Sequence, residues 1–369
     1  MAPPYVTPLK KWLEKLLNTR FLTWFSPCIW GDADGYPFSR SFLHQTRIGR
    51  FITDTFWSIL GKDVLTLNKY DSHPETAKLK PWSNPFFIAS SLSILNYDTD
   101  FFDLVRNGPV KVRIADIVGL ERKTVCLSTG EKLETDALIS CTGWKHSPPL
   151  KFLPEGLDLG FPHKTGPSEP IALIQRADEE ILSRFPRLKD QPAPNPKAKP
   201  LPSLTPQETL KPYRLYRFMI PPSTTSSRDI AFAGSLLNIS TAMCAQLQAL
   251  WITAYLTGHL TIPEDITYET ILHNRFGRWR YPAGFGDKFP DFVFDGLPYV
   301  DLMLGDLGLR KWRKGGALKE MFESYGPEDY KGLVEEWLGG AEIGCEEVGG
   351  EGGRSWSGVE NGGYRGSLI

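Results

Sequence analysis

The run Asp136-Ala137-Leu138-Ile139-Ser140-Cys141-Thr142-Gly143-Trp144 decides how the rest of the chain reads. Its nearly continuous apolar centre predicts a strand buried on both faces, as in a parallel sheet. Ligands of doubly wound sheets sit beyond the carboxyl ends of the strands. Thr142 and Gly143 put two small residues at that end, where a cofactor could approach the backbone closely, and Trp144 opens the exit loop. A plain strand end with a tight turn fits the same residues, so this pattern alone leaves both readings open.

Just upstream, Lys111-Val112-Arg113-Ile114 reads as a strand. Thr124 to Leu127, a turn at Ser128-Thr129-Gly130, and Glu131 to Thr135 read as a hairpin. Further upstream, residues 1 to about 100 alternate helical patterns with aromatic-rich loops such as Trp24-Phe25-Ser26-Pro27, without the strand–helix alternation of a βαβ unit. At the start, Leu9, Trp12, Leu13, Leu16 and Leu17 fall on one helical face, with Thr7 as N-cap and Pro8 in the first turn.

Downstream, the Pro- and Lys-rich stretch from Pro186 to Pro212 predicts an exposed linker or insertion. Asp229-Ile230-Ala231-Phe232-Ala233-Gly234 predicts a second buried strand. It runs through Ser235 to Ile239 into a helix over Thr241 to Leu256, capped by Ser240 or Thr241 and stopped at Gly258. That helix is apolar nearly all round and is expected to be buried, with Gln246 and Gln248 needing partners. Its N-terminus, preceded by Gly234 and small polar residues, suits an anion or a flavin carbonyl. A satisfied structural amide is the commoner role for a buried glutamine.

Composition narrows the function classes. Of 369 residues, 42 are basic and 43 acidic, so no basic excess supports nucleic-acid binding. Five widely spaced cysteines lack zinc spacing, and Cys126 and Cys141 sit in strand-like runs, which predicts buried free thiols in a reducing compartment. The six histidines are scattered and read as surface or loop residues. Neither a His-Glu-x-x-His helix nor a nucleophile-elbow serine occurs. No apolar run is long enough to span a bilayer, and the expected location is the cytoplasm, free or held at a membrane surface by the leucine-rich stripe.

Taken together, these segments resemble the flavin-containing monooxygenase-like family of FAD/NAD(P)-binding oxidoreductases, in its fungal form. The resemblance runs from Asn96-Tyr97-Asp98 and Asp103 to Gly108 through Val110 to Ile114, the hairpin, and the Asp-led strand ending in Thr142-Gly143-Trp144. It continues in Phe232-Ala233-Gly234, the run Ala245 to Trp251, the segment His273 to Arg280 and Asp301 to Arg313. Where the family usually has Arg before the tryptophan, this chain has Leu250.

The resemblance implies an α/β flavoprotein fold with an incomplete set of two dinucleotide-binding domains, a parallel sheet with helices plus a β-hairpin excursion. It assigns 1–110 to the remainder of an NADPH-binding domain with a helical, aromatic insertion. It assigns 111–338 to the C-terminal part of an FAD-binding domain interrupted at about 186–212, and 339–369 to a disordered Gly-rich tail. The implied activity is monooxygenation of a small organic molecule, with NADPH reducing FAD and oxygen reacting with the reduced flavin. Thr142, Gly143 and Trp144 would line the nicotinamide or flavin, Gly234, Asn238, Ser240 and Thr241 would face the flavin, and Gln248 would orient it.

The sequence contains no Gly-x-Gly-x-x-Gly. Gly284-Phe285-Gly286 lacks the third glycine and follows Tyr281-Pro282-Ala283 rather than a strand. The resemblance therefore predicts a chain that begins past both glycine loops, an N-terminally shortened member. Two other readings stay open: a non-catalytic remnant or partner-binding fragment, and a flavin reductase or dehydrogenase without oxygenation.

Overall fold

Local signals give the helices and non-local pairing limits the strands. The computed structural model describes residues 5–6, 11–88, 98–141, 150–154, 157–162, 170–193, 212–282, 286 and 288–339. They fall into two compact units, Met1–Lys331 and Gly332–Ile369. Of the second unit, residues 333–339 are helical, and the expected Gly-rich tail beyond Gly339 lies outside the described residues.

The first unit is mainly helical with small sheets, a mixed arrangement compatible with the α/β class. Tyr5–Val6 (β1) pairs antiparallel with Lys11–Trp12 (β2), and Leu13–Leu17 (α1) follows. The first helix thus starts at Leu13, not at Pro8, because that pairing holds residues 11 and 12 extended. Thr7 and Pro8 lie outside the described residues. Leu13, Leu16 and Leu17 are buried as the stripe predicts, whereas Trp12 is half exposed.

Arg20–Trp24 (α2) leads through a tight turn at Gly31–Asp34 to Pro37–Gln45 (α3) and Arg47–Asn68 (α4). Thr46 caps α4 by accepting the Gly49 N–H at 2.9 Å. A Cβ on Gly49 would lie 1.9 Å from the Phe42 carbonyl oxygen, so glycine is what lets α3 and α4 cross this closely. The short helices Pro74–Ala77 (α5) and Phe101–Arg106 (α6) complete this helical half.

Ile117–Glu121 (β3), Thr124–Leu127 (β4) and Lys132–Glu134 (β5) form an antiparallel sheet in that order. The hairpin is therefore where the sequence puts it. The expected strand at Lys111–Ile114 does not form. Its backbone goes instead to side chains on α5 and just after it: the Val112 N–H donates to Glu75 at 3.3 Å and Lys78 donates to the Val112 carbonyl at 3.1 Å. The expected buried strand from Asp136 fails too. Residues 136–141 are exposed and join no strand, Ile139 at 84%, and a strand needs neighbours on its edges that the described residues do not offer.

Ile171–Arg184 (α7) is a helix that the sequence reading missed. It is followed by a turn at Pro186–Lys189 that buries Leu188 completely. The Pro-rich insertion accordingly starts later than Pro186, and 194–211 lie outside the described residues. Asp229–Gly234 is half-buried loop rather than strand; Phe232 N–H reaches the Met219 carbonyl at 2.8 Å, a single bond to a turn and not a ladder.

Leu237–Asn238 (β6) leads into Thr241–Leu256 (α8), whose bounds match the expectation. Gly258, at φ +79°, ends it as the sequence indicates. α8 buries one face (Met243, Cys244, Leu247, Trp251, Ala254, Tyr255), while Ala242, Ala245 and Ala249 face outward, so the helix is not buried all round. Thr267–Arg280 (α9) packs on α7. Asp291–Phe292 (β7) then leads into Gly296–Asp306 (α10), and Ala317–Phe322 (α11) follows. α10 contacts α8, α2 and the Gly31–Asp34 turn, and buries Leu297, Tyr299, Val300, Met303 and Leu304 almost completely. Trp30 sits beside this helix among the rings of Phe218, His273, Phe276 and Phe292.

Candidate functional site

β6 and β7 pair in parallel, Leu237 opposite Asp291 and Asn238 opposite Phe292. Each strand feeds a helix, so the N-termini of α8 and α10 lie side by side at the carboxyl end of this small ladder. Their closeness is visible at Gly296, the first residue of α10: a Cβ there would lie 2.9 Å from the Asn238 side-chain oxygen. Helix N-termini present unsatisfied N–H groups and partial positive charge, a setting for an anionic or carbonyl oxygen.

Three of the residues expected at the cofactor, Asn238, Ser240 and Thr241, converge here. Asn238 Oδ1 accepts the Ser240 N–H at 2.7 Å, and its Nδ2 donates to Cys244 Sγ at 2.8 Å. Ser240 Oγ donates to Asn18 Oδ1 at 2.7 Å, and Thr241 Oγ1 donates to the Asn238 carbonyl at 2.8 Å. These bonds fix the junction, but the Ser240 side chain at the N-cap position makes no capping bond to the first turn of α8. Thr241 and Ala242 are exposed, so that turn faces outward.

Gly234 is exposed with φ +74°, and nothing lies within 4 Å of where its Cβ would be. Its N–H is committed, donating to Gln248 Oε1 at 2.9 Å. Gln248, buried on α8, donates in turn from Nε2 to the Tyr299 hydroxyl at 3.0 Å, and that hydroxyl donates to the Arg217 carbonyl at 2.7 Å. Both ends of the Gln248 amide are thus used inside the protein, and its effect on anything bound at Gly234 passes through the loop it holds. Burial pushes the Tyr299 hydroxyl well up, keeping it neutral as a relay between α8 and the Arg217 backbone. Thr142, Gly143 and Trp144 lie outside the described residues.

Asn18, Tyr299 and Gly296 belong to this neighbourhood and were not found from the sequence. They come from positions 222 and 51 residues away from Ser240 and Gln248, and from a separate helix start. No local pattern links them.

Two histidines correct the surface reading. His44 on α3 is buried, with Nε2 2.9 Å from the Trp24 carbonyl, and burial reinforced by the Arg40 charge holds its pKa down to about 3. His273 on α9 is buried between Trp30 and Phe218 and is likewise held well down by burial and by Arg217. The cysteines divide: Cys28 and Cys244 are buried, with the Cys244 thiol pushed up to about 12 by burial, whereas Cys126 is half-buried and Cys141 exposed. All four are free. Cys345 lies outside the described residues.

Among the described residues no cluster of His, Cys, Asp and Glu could hold a metal, and no helix is long and apolar enough to cross a membrane.

Sequence comparison finds relatives along most of the chain. It is 33% identical over 91% of its length to an FAD-dependent monooxygenase of Aspergillus sclerotiorum, covering 60% of that protein. It is 30% identical over 91% of its length to one of Aspergillus nomiae, again covering 60%. A third, from Pyrenophora dematioidea, is 32% identical over 86% of the chain and 60% of its own length. The chain thus spans about three-fifths of the curated relatives it matches. No family model matches it, and no solved structure does.

Proposed function

We propose that this chain, which by sequence belongs with the FAD-dependent monooxygenase-like family, contributes the α8 junction to a flavin site and serves the oxygenation of a small organic molecule with NADPH and oxygen. The observation that carries the reading is the uncapped α8 terminus beside that of α10, at the carboxyl end of a parallel ladder.

The donor set fits one polar edge of FAD, either a ring carbonyl or a phosphate oxygen. The first-turn amides of α8 would hold that edge, and Gly234, with open space beyond its Cα, lets a planar group lie against the backbone. Asn238 and Ser240 keep the terminus rigid through Asn18 and Cys244, and Gln248 keeps the Gly234 loop in place. When bound, FAD supplies the electron transfer and oxygen chemistry, while these residues position it.

A non-catalytic reading is favoured by one other observation: Leu138 and Ile139 are exposed where the family pattern would bury a strand. The visible absorption spectrum of the purified chain, with and without added FAD, separates the two. A flavin band that bleaches on adding NADPH, with formation of an oxygenated product, supports the monooxygenase reading. Bleaching with hydrogen peroxide alone as product supports a reductase. A colourless chain that retains no FAD overturns flavin binding by this chain.

A further inference from the structure

A cleft of about 370 Å³ lies between one face of α4 and the segment 81–88. Its walls are largely apolar: Trp57 and Leu65 from α4, Trp82 and Pro85 opposite. Trp57 lies beneath this wall, 1% exposed, with its indole N–H donating to the Phe25 carbonyl at 2.9 Å. At Gly61 a Cβ would come within 3.2 Å of the Pro85 ring, so the two walls meet there and the cleft has a floor.

Two polar groups in this cleft are uncommitted. Ser83 Oγ is shielded from solvent and has no hydrogen-bond partner. A shielded hydroxyl left unpaired is destabilising, and a bound acceptor relieves that penalty. Lys62, exposed at the same cleft, makes no ion pair among the described residues, and no Asp or Glu is in the lining. Most other cations of this region are already engaged: Lys78 with Glu75, Lys80 with Asp71, Arg187 with Asp54.

We propose that this cleft binds an apolar monocarboxylate. One carboxylate oxygen pairs with the Lys62 ammonium and accepts the Ser83 hydroxyl, and the hydrocarbon body lies against Leu65, Trp82 and Pro85. An apolar pocket with a few placed polar groups is the usual form of a small-molecule site, and a charge-assisted bond supplies the selectivity for the head group. The site lies on α4, apart from the α8 junction, and does not rest on the flavin reading.

The test is calorimetric titration of the full chain with decanoate, decan-1-ol and decyltrimethylammonium, each below its aggregation concentration. Saturable one-to-one binding is expected for decanoate and not for the cation. Lys62→Glu, at an exposed position, should weaken decanoate at least tenfold, and Ser83→Ala severalfold. Leu65→Trp should abolish binding by filling the cleft, with circular dichroism checking its fold. No decanoate binding, or binding unchanged in Lys62→Glu, overturns the proposal, as does equal affinity for decanol.

Discussion

Arg20 and Asp301 lie 281 residues apart in sequence, yet the Arg20 guanidinium grips the Asp301 carboxylate with both terminal nitrogens where solvent is excluded. The Lys311 carbonyl at 2.7 Å and the Tyr325 hydroxyl at 3.2 Å take up further guanidinium donors. Burial raises the Asp301 pKa to about 6 in spite of the facing cation. Removing Asp301 leaves the buried Arg20 with Glu320 as its remaining carboxylate, at 3.4 Å. Asp301→Ala is expected to lower stability by about 3–5 kcal/mol in urea unfolding at pH 7, and Arg20→Met with Asp301→Leu by less than the sum of the single changes. A loss under about 1 kcal/mol for Asp301→Ala would rule out this pair as a stability element.

His44 carries a pH prediction. Its folded-state pKa of about 3 lies below the ordinary 6.5, so the folded state binds fewer protons than the unfolded chain between those values. Its contribution is fully present above pH 6.5 and is lost as pH falls toward 3, by about 1.4 kcal/mol per pH unit. His44→Gln, which can keep the donor to the Trp24 carbonyl, should flatten this dependence in denaturation series from pH 7 to 4. An unchanged slope would show that His44 titrates normally.

Gln248 ties Gly234 to α10 through Tyr299. Gln248→Leu removes the acceptor of the Gly234 N–H and the donor to the Tyr299 hydroxyl, and is expected to cost about 1–3 kcal/mol. Gln248→Glu retains the acceptor and should protect the Gly234 amide in hydrogen exchange better than Gln248→Leu. Equal exchange in both variants would mean that the loop is held by other contacts.

Thr241 begins α8 at its uncapped end. Thr241→Glu places a negative charge on the helix dipole, which should leave stability equal or slightly raised. It should also weaken FAD by about 1 kcal/mol, roughly fivefold, through repulsion of an oxygen at the same amides. A flavin titration followed by fluorescence, beside a thermal melt, reads both effects. Unchanged FAD affinity with raised stability would place the cofactor elsewhere.

Gly49 sets the distance between α3 and α4. Gly49→Ala adds a methyl that would meet the Phe42 carbonyl at 1.9 Å and Leu43 Cα at 2.7 Å. Despite the better helix propensity of alanine, the helices must part, and a loss of about 2 kcal/mol or more is expected in chemical denaturation. A neutral or stabilising result would show that the crossing can relax freely.

The sequence alone determined the features whose signals are local. α8 runs from Thr241 to Leu256 because its apolar run starts after Ser240 and meets Gly258, and the 124–134 hairpin forms around Gly130. Asn238, Ser240 and Thr241 gather because they follow one another into a helix start. Relationship to flavin-dependent monooxygenases was legible in the same way, through short runs such as Phe232-Ala233-Gly234.

Tertiary structure decided the rest. Residues 136–141 and 229–234 have strand-like composition, but a strand exists only where another backbone completes its hydrogen bonds. Val112 finds Glu75 and Lys78, Phe232 finds Met219, and residues 136–141 pair with no strand. The burial of His44 and His273, the grip of Arg20 on Asp301 and the link from Gln248 to Tyr299 likewise join distant positions. Periodicity and capping report on a residue's neighbours within a few positions of the chain. Burial, ion pairing and sheet formation depend on neighbours in space, which only the packed helices bring together.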